Sequence, residues 1–346
     1  MEMNKKKFES VFNRFTKNKH IHEAVIFVEN KDGDFSYSNG YGDKDLDTPF
    51  IMASITKLFV TTCIFILKER GKLSLDDKIA KYISEDTLNQ LHIYKGKEYS
   101  MDLTIAHLLF QTSGLPDDFD EGSNPTRKQL IDQDTYYNFD DIIKMTKQNK
   151  AHFPPTKPKR AHYASANFNL LGKIIEVITQ LMLADAFKQF IFDPLELENT
   201  YLPGSEADFV PQMYYKDRLL HRPKSIATTG ASGGGISTAR ELMVFLKAFF
   251  NGTLFNQTVF HNYDQSNKLQ LTMYPIHYGA GFMRVPMGGL ATLFMGKGEL
   301  LGHSGSTGSF AFYNPRNELF FVGDVNQIAN PALPVRLAMR LAISIK

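Results

Sequence analysis

The stretch SITKLFVTTCIFIL, residues 54–67, contains the longest apolar run of the chain and begins with a serine and a lysine three residues apart. Its apolar side chains cover nearly the whole circumference of a helix, which predicts a helix that is buried on most sides. Residues three apart share one face of a helix, so the Ser54 hydroxyl and the Lys57 amine can meet. A serine and a lysine at the start of an otherwise apolar, buried helix need an explanation other than packing.

The Ser54 and Lys57 pair suits nucleophilic chemistry. A serine hydroxyl is a weak nucleophile until a base removes its proton, and a lysine in apolar surroundings loses its charge readily enough to assist. The exposed N–H groups at a helix N-terminus favour developing negative charge. S-x-x-K is short, however, and a serine at a helix start beside a long-stemmed lysine is its commoner meaning. Motifs elsewhere in the chain must show which of the two meanings applies to Ser54 and Lys57.

Length and composition exclude several classes of function. The chain has 346 residues, of which 43% are hydrophobic, so it can bury a large core and has a length typical of about two domains. The formal net charge of +2 predicts neither a nucleic-acid partner nor an anionic membrane surface. Cys63 is the only cysteine and lies among apolar helix residues, which indicates an inert thiol and no disulfide. We expect no cofactor.

The sequence as written predicts a cytoplasmic protein. Phe8, Val11, Phe12 and Phe15 follow the N-terminal lysines at helical spacing, which indicates an amphipathic helix and not a signal peptide. The apolar run of residues 58–67 is shorter than the roughly 20 residues that cross a bilayer. We expect no transmembrane segment, and an extracytoplasmic location only if the natural chain is longer.

Strand patterns lie near both ends of the chain, and helical patterns fill its middle. Strands are predicted at residues 23–29, 35–41, 281–286, 299–303, 309–313 and 319–325, with Asn39-Gly40 as a turn signal. Helices are predicted at residues 104–110, 139–148, 166–190, 239–250 and 332–345.

This order predicts an α+β fold, an α/β sandwich in which an antiparallel sheet is flanked by N- and C-terminal helices. The sheet domain would comprise residues 1–75 and 231–346, and residues 76–230 would form an inserted, mostly helical domain. We expect the functional site in the cleft between the two domains.

Two later stretches complete the S-x-x-K motif: residues 162–172, a loop that runs into a helix, and residues 301–309, a strand end and the following turn. With them the chain resembles the serine β-lactamase and penicillin-binding protein superfamily, in its class C-like branch. That branch also holds D-Ala-D-Ala carboxypeptidases, D-aminopeptidases and esterases. Tyr163-Ala164-Ser165 matches the Tyr-x-Asn signature, and His303-Ser304-Gly305 matches the Lys/His-Thr/Ser-Gly signature.

The resemblance implies a serine hydrolase with a β-lactamase/transpeptidase-like fold that forms an acyl-enzyme on Ser54. It makes Tyr163 the partner that moves the proton together with Lys57, and neither of these two residues alone is assigned as the base. The backbone amides of Ser54 and Ser306 would form the oxyanion hole. The implied substrate-binding residues are Ser165, His303, Ser304 and Gly305. Glycine fits at position 305 because a strand passing close to the substrate leaves no room for a Cβ.

Two departures from the family pattern bear on the substrate. His303 stands where β-lactamases usually carry lysine, and a histidine that is partly charged at neutral pH would hold a substrate carboxylate less firmly. Ser165 replaces the usual asparagine and reaches less far toward a substrate amide. Both favour a hydrolase of uncertain specificity over an efficient β-lactamase, and the expected substrate is an amide or ester such as a D-Ala-D-Ala-type peptide, a β-lactam or a small ester. The expected partner is a small-molecule or peptide substrate; the oligomeric state stays open.

Alternative interpretations remain. The fold can serve as a penicillin-binding or sensor module that recognises cell-wall peptides without turnover. Gly230-Ala231-Ser232-Gly233-Gly234 fits the G-x-S-x-G nucleophile elbow of α/β-hydrolases, although no strand clearly precedes it. His20 and His22 form a pair without further ligands, so no metal site is expected. The basic Lys157, Lys159 and Arg160 indicate a solvated loop.

Overall fold

The computed structural model describes residues 5–155, 160–289, 292 and 295–345, so Lys157 and Lys159 lie outside the described residues. The helices are α1 Lys5–Thr16, α2 Thr56–Glu69, α3 Glu85–Leu88, α4 Ile105–Leu109, α5 Thr126–Asp132, α6 Phe139–Lys147, α7 Ser165–Thr179, α8 Leu183–Phe187, α9 Pro223–Gly233, α10 Ala239–Asn251, α11 Thr258–Asn262 and α12 Leu333–Ile343. The strands are β1 Ala24–Asn30, β2 Ser36–Tyr41, β3 Phe50–Ile51, β4 Ile93–Tyr94, β5 Lys97–Glu98, β6 Met213–Tyr215, β7 Arg218–Leu220, β8 Ile236–Ser237, β9 Asn267–Lys268, β10 His277–Gly279, β11 Phe282–Pro286, β12 Glu299–Ser304, β13 Ser309–Asn314 and β14 Leu319–Asp324.

Strands from both ends of the chain meet in one sheet. In the described residues this sheet has eight strands in the order β2-β1-β14-β13-β12-β11-β10-β9. The neighbouring strands are antiparallel, and β1 lies between β2 and β14. Helix α12 packs against α1 and against β12, β13 and β14. The predicted α+β class, with an antiparallel sheet flanked by terminal helices, is confirmed.

Helix α2 forms the centre of the molecule, as its sequence predicts. Every residue from Thr56 to Leu67 is buried, and the helix packs against α7, α8, α9 and the strands β11 and β12. Phe59 of α2 stacks on Phe245 of α10 with 3.7 Å between ring centroids. Each fully buried phenylalanine stabilises the fold by about 1.5–3 kcal/mol. Burial raises the pKa of the Cys63 thiol, as expected of an inert cysteine.

Two local expectations are wrong. Asn39 and Gly40 lie inside strand β2, opposite Ile26 and Val25, and the hairpin turn falls between residues 30 and 36. A Cβ on Gly40 would come within 2.0 Å of the Lys44 carbonyl oxygen, so this glycine allows close backbone packing and does not mark a turn. The helix predicted over residues 166–190 is interrupted after Thr179, because Gln180 adopts a left-handed conformation with φ of 57°.

None of the helices in the described residues combines the length and the apolar character needed to cross a membrane.

Candidate active site

Ser54 lies in a tight turn that joins β3 to α2. Ala53 to Ile55 form a turn of 3-10 helix, and the α-helix begins only at Thr56, two residues later than the sequence pattern predicts. Ala53 has a φ of 45°, a strained conformation for a residue with a Cβ. Its carbonyl accepts a hydrogen bond from the Thr56 hydroxyl at 2.7 Å, which helps to hold the strained backbone. The turn leaves Ser54 half-buried between buried neighbours.

Lys57 contacts Ser54 as the i, i+3 spacing predicts. Its Nζ donates to Ser54 Oγ at 3.2 Å and also to the backbone carbonyl of Ser232 at the end of α9. The lysine is 0% exposed. Burial lowers the pKa of Lys57 to about 7, although the charges of Asp117 and Asp118 oppose this shift. An amine with this pKa is partly neutral at physiological pH and can accept a proton.

Tyr163, Tyr278 and His303 form an aromatic group beside the lysine. The distances between ring centroids are 5.9 Å for Tyr163 and Tyr278, 6.0 Å for Tyr163 and His303, and 5.9 Å for Tyr278 and His303. Lys57 Nζ lies 5.1 Å from the centroid of the Tyr163 ring. The structure therefore brings the three sequence signatures together around Ser54, each from a different segment of the chain.

The Tyr163 hydroxyl is buried and makes no hydrogen bond within the described residues. Burial raises the pKa of this phenol far above its usual value, with the Ser54 side chain acting in the opposite direction. Tyr163 is therefore protonated in the resting protein. A buried hydroxyl without a partner is costly, and such groups are often found at functional sites.

His303 is neutral, which corrects the expectation of a partly charged side chain. It is 0% exposed, and its Nδ1–H donates to the Ser304 carbonyl at 2.8 Å. Burial, reinforced by the charge of Lys57, lowers the pKa of His303 to about 3. Its Nε2 has no hydrogen-bond partner among the described residues and presents a lone pair.

The turn between β12 and β13 packs directly on the segment that precedes Ser54. Ser309 Oγ donates to the Met52 carbonyl at 2.7 Å, and Thr307 Oγ1 donates to the Ile51 carbonyl at 2.9 Å. A Cβ on Gly305 would lie 2.4 Å from the Met52 carbonyl oxygen. Close contact with the chain's own backbone therefore also requires a glycine at this position. Ser306, half-exposed, lies within this docked turn.

The two serines expected to bind substrate make contacts within the protein. Ser304 Oγ donates to the sulfur of Met283 at 3.8 Å. Ser165 begins α7, and its backbone N–H donates to Asp117 Oδ1 at 2.8 Å. Both serines are buried.

Asp117 and Asp118 are the site residues that the sequence argument missed. Both are buried, with 4% and 6% of their surface exposed. Burial raises the pKa of Asp117 to about 6 and that of Asp118 to about 7. Asp118 Oδ1 has no hydrogen-bond partner among the described residues and lines a small cavity with Ser165 and Ser232. The signal was two adjacent acidic residues directly after Ser113-Gly114-Leu115-Pro116.

The α/β-hydrolase interpretation of Ser232 is wrong. Ser232 lies in the short helical turn that follows a break of α9 at Gly230 (φ 38°, ψ −118°), and its hydroxyl donates to the Thr229 carbonyl at 2.8 Å. The nucleophile elbow of an α/β-hydrolase instead follows a strand, and the large sheet of this protein is antiparallel. His20 and His22 both hydrogen-bond to the carboxylate of Asp217 at 3.0 Å on the protein surface.

The chain is similar in sequence to several known proteins. Protein flp of Staphylococcus aureus (strain MW2) is 29% identical over 193 residues, 52% of this chain and 35% of that protein. The chain thus spans about a third of the length of the first curated relatives it matches. A putative D-alanyl-D-alanine carboxypeptidase of Escherichia coli (strain K12) is 26% identical over 321 residues, 82% of this chain and 70% of that protein.

The fold is also found in solved structures. The crystal structure of D-amino acid amidase from Ochrobactrum anthropi SV3 complexed with L-phenylalanine amide superposes with a TM-score of 0.79 and 17% identity, covering 98% of this chain and 97% of that chain. This similarity shows a shared fold. The profile of the Beta-lactamase family matches residues 8–342, nearly the whole chain. The protein therefore belongs to the Beta-lactamase family.

Proposed function

We propose that the protein hydrolyses a small amide or ester through an acyl-enzyme formed on Ser54. The observation that carries the proposal is the contact between Ser54 Oγ and Lys57 Nζ at 3.2 Å, together with a pKa of about 7 for the buried lysine. A neutral amine at this distance can take the hydroxyl proton as the serine attacks a carbonyl carbon. The geometry and the acidity of the lysine thus suit the same step.

The proton path follows from the acidities of the two partners. Lys57 accepts the Ser54 proton, because Tyr163 is held in its protonated form by burial. Tyr163 then serves as the donor that passes a proton to the leaving group, while Lys57 stabilises the phenolate that this step creates. In deacylation the same groups act in reverse: a water molecule loses its proton to the pair, and Ser54 regains one.

The amides of Ser54 and Ser306 are the proposed oxyanion donors. Gly305 N–H donates to the Ser309 carbonyl at 2.7 Å, which fixes the turn that carries Ser306. The same turn is tied to residues 51 and 52, so the two amides are held by one hydrogen-bonded unit. Preorganised donors of this kind stabilise the tetrahedral intermediate, and the loss of one typically costs about a hundredfold or more in rate.

The charges around the site favour a particular class of substrate. A neutral, buried His303 offers no positive charge for the carboxylate of a β-lactam or of a D-Ala-D-Ala peptide. Asp117 and Asp118 instead place acidic groups near Lys57. We therefore place amino-acid amides and small esters ahead of β-lactams as substrates, and the similarity in fold to a D-amino acid amidase supports this order.

The proposed site lies in the cleft between the sheet domain of residues 1–75 and 231–346 and the insertion of residues 76–230. Ser54 and His303 belong to the first unit, and Tyr163, Asp117 and Asp118 to the second. A site built from both units forms only when the two units pack together. The boundary between two domains is a usual place for a substrate cleft. Ser165, Ser304 and Gly305 are the proposed lining of this cleft.

The test uses purified wild-type protein, the Ser54→Ala variant and the Ser38→Ala variant as a matched control. Ser38 is an exposed serine on β2, four strands away from β12 in the sheet. Each protein is incubated with a p-nitrophenyl ester, a set of D- and L-amino-acid amides and a fluorescent penicillin, and product release and intact protein mass are measured.

We expect Ser54→Ala to lose at least about a thousandfold in hydrolysis and to form no acyl adduct, whereas Ser38→Ala behaves like the wild type. An adduct or turnover that persists in Ser54→Ala contradicts the assignment of the nucleophile. A stable adduct on Ser54 without product release contradicts the hydrolase proposal and identifies a penicillin-binding or sensor module.

A further inference from the structure

Glu121, His152 and His162 form a compact group of metal-ligating side chains outside the proposed catalytic residues. Their ligand atoms all lie within 4.8 Å of one another. His152 Nε2 lies 2.8 Å from Glu121 Oε2, and His162 Nε2 lies 2.6 Å from Glu121 Oε1. The two imidazole rings stack with 3.6 Å between centroids. Three potential nitrogen and oxygen ligands therefore lie close together.

The backbone of each ligand is held by the same loop. The N–H of His162 donates to the Gln111 carbonyl, that of His152 to the Gly114 carbonyl and that of Glu121 to the Asp117 carbonyl, each at 2.9 Å. The loop of residues 111–117 thus acts as a rigid frame for three residues that are far apart in sequence. Preorganised ligands lose little entropy when they bind an ion, which is what a built metal site requires.

The charge and the surroundings of the group fit a divalent cation. The Glu121 carboxylate faces both imidazole rings and hydrogen-bonds to each of them, so one acidic and two imidazole ligands lie together. The three side chains line an open cavity of about 480 Å³, which leaves room for a water molecule or an anion as a fourth ligand. Arg160 and Lys268 also line this cavity, and their charges favour an anion there.

We propose that Glu121, His152 and His162 bind one divalent transition-metal ion, with Zn²⁺ as the best match to the ligand set. Two imidazole nitrogens, one carboxylate oxygen and one open position form a common tetrahedral zinc arrangement. The ion takes the place of the protons now shared between the histidines and the glutamate, so each ring binds through the Nε2 lone pair and carries its proton on Nδ1. The rings must separate slightly from their stacked arrangement to point both lone pairs at the ion.

The site would stabilise one wall of the proposed catalytic cleft. His162 directly precedes Tyr163, and the loop that holds the three ligands continues into Asp117, which accepts the Ser165 N–H. An ion bound here would fix both segments through the ligands themselves. This role does not depend on the reaction that Ser54 carries out, so binding can be tested without any substrate.

The test measures metal binding directly. Full-length protein is stripped with a chelator and dialysed, then titrated with ZnCl2 by calorimetry and with CoCl2 by visible absorption spectroscopy, because tetrahedral Co²⁺ gives strong bands and Zn²⁺ gives none. The variants are His152→Ala, Glu121→Gln and the control His22→Ala. His22 is a matched control because it also pairs with a carboxylate, that of Asp217, at 3.0 Å on the protein surface.

We expect one Zn²⁺ per chain in the wild type and in His22→Ala, with tetrahedral Co²⁺ bands and a raised melting temperature. In His152→Ala and Glu121→Gln the Kd for Zn²⁺ should rise by about tenfold to a hundredfold or more, and the tetrahedral Co²⁺ bands should disappear. Circular dichroism of the metal-free variants checks that they are folded. The proposal is overturned if the wild type binds no stoichiometric metal, or if His152→Ala and Glu121→Gln bind it as the wild type does.

Discussion

Two clusters of ionisable side chains share the segment of residues 111–121, and their chemistry differs. The inner cluster consists of Lys57, Asp117 and Asp118, and the outer cluster of Glu121, His152 and His162. In the inner cluster the pKa of the lysine falls to about 7 while the pKa values of the two aspartates rise to about 6 and 7. In the outer cluster the pKa of Glu121 falls to about 2.

The difference comes from direct pairing. Lys57 donates its hydrogen bonds to Ser54 and to the Ser232 carbonyl, so burial dominates and disfavours every charged form in the inner cluster. Glu121 accepts hydrogen bonds from both histidines, and these contacts outweigh its partial burial. Burial without pairing brings acids and bases to similar pKa values, which suits proton transfer. Pairing fixes the charges, which suits a structural or metal-binding role.

The largest expected effect on the inner cluster comes from removing Lys57. Lys57→Met keeps the length and apolar character of the stem but removes the base, so we expect hydrolysis to fall by about a thousandfold or more. The melting temperature should stay level or rise, because a buried amine is replaced by an apolar group. Ester and amide turnover together with calorimetric unfolding measure the two effects.

Lys68→Met is the control for this change, since it alters the same helix at its half-buried last turn. It should leave turnover within about twofold of the wild type. A Lys57→Met protein that is folded and active at more than a tenth of the wild-type rate would contradict the assignment of Lys57 as the base.

The pH dependence of hydrolysis tests how the inner cluster sets the pKa of Lys57. Because the neutral form of Lys57 is required, kcat/KM of the wild type should rise with pH through an apparent pKa near 7. The negative charge of Asp117 raises the pKa of Lys57, so Asp117→Asn should lower that pKa and move the acidic limb to lower pH by about one unit. Asparagine keeps an oxygen that can accept the Ser165 N–H.

Asp76→Asn, at an exposed position before α4, provides the control. It should leave the acidic limb of the pH profile at the wild-type position. A limb that stays in place in Asp117→Asn, or that moves to higher pH, would show that Asp117 does not set the acidity of the lysine.

The smallest expected effect concerns the outer cluster and its acid stability in the absence of metal. The folded-state pKa of Glu121 lies below its ordinary value of 4.5, so its stabilisation is present above pH 4.5 and is lost as the pH falls toward 2. Glu121→Gln should therefore melt about 2 °C below the wild type at pH 6, and this difference should shrink toward pH 3. Thermal unfolding in the presence of a chelator measures it.

Glu9→Gln, an exposed change on α1, should give a difference that does not depend on pH in this way. If the difference for Glu121→Gln were constant or grew as the pH falls, the hydrogen bonds to the two histidines would not be the source of the stability.

Much of the local structure follows from short-range sequence patterns. The i, i+3 spacing places Ser54 beside Lys57, and the Thr238 side chain caps α10 by accepting the Glu241 N–H at 3.2 Å. Asn39-Gly40 failed as a turn signal because the space around Gly40 is filled by Lys44, a contact that no local pattern reveals. His303 was expected to carry partial charge because its burial depends on segments far away in the sequence.

The sequence by itself determined which side chains share a helix face or a strand, because helical and strand periodicity act over a few residues. It therefore determined the Ser54 and Lys57 pair and the order of the signatures. The tertiary structure decided the chemical state of those groups. Lys57 has a pKa near neutrality because the packed chain buries it completely, and Glu121 becomes a ligand only where His152 and His162 meet it. Acidity depends on burial and on neighbours in space, and only the packed chain supplies both.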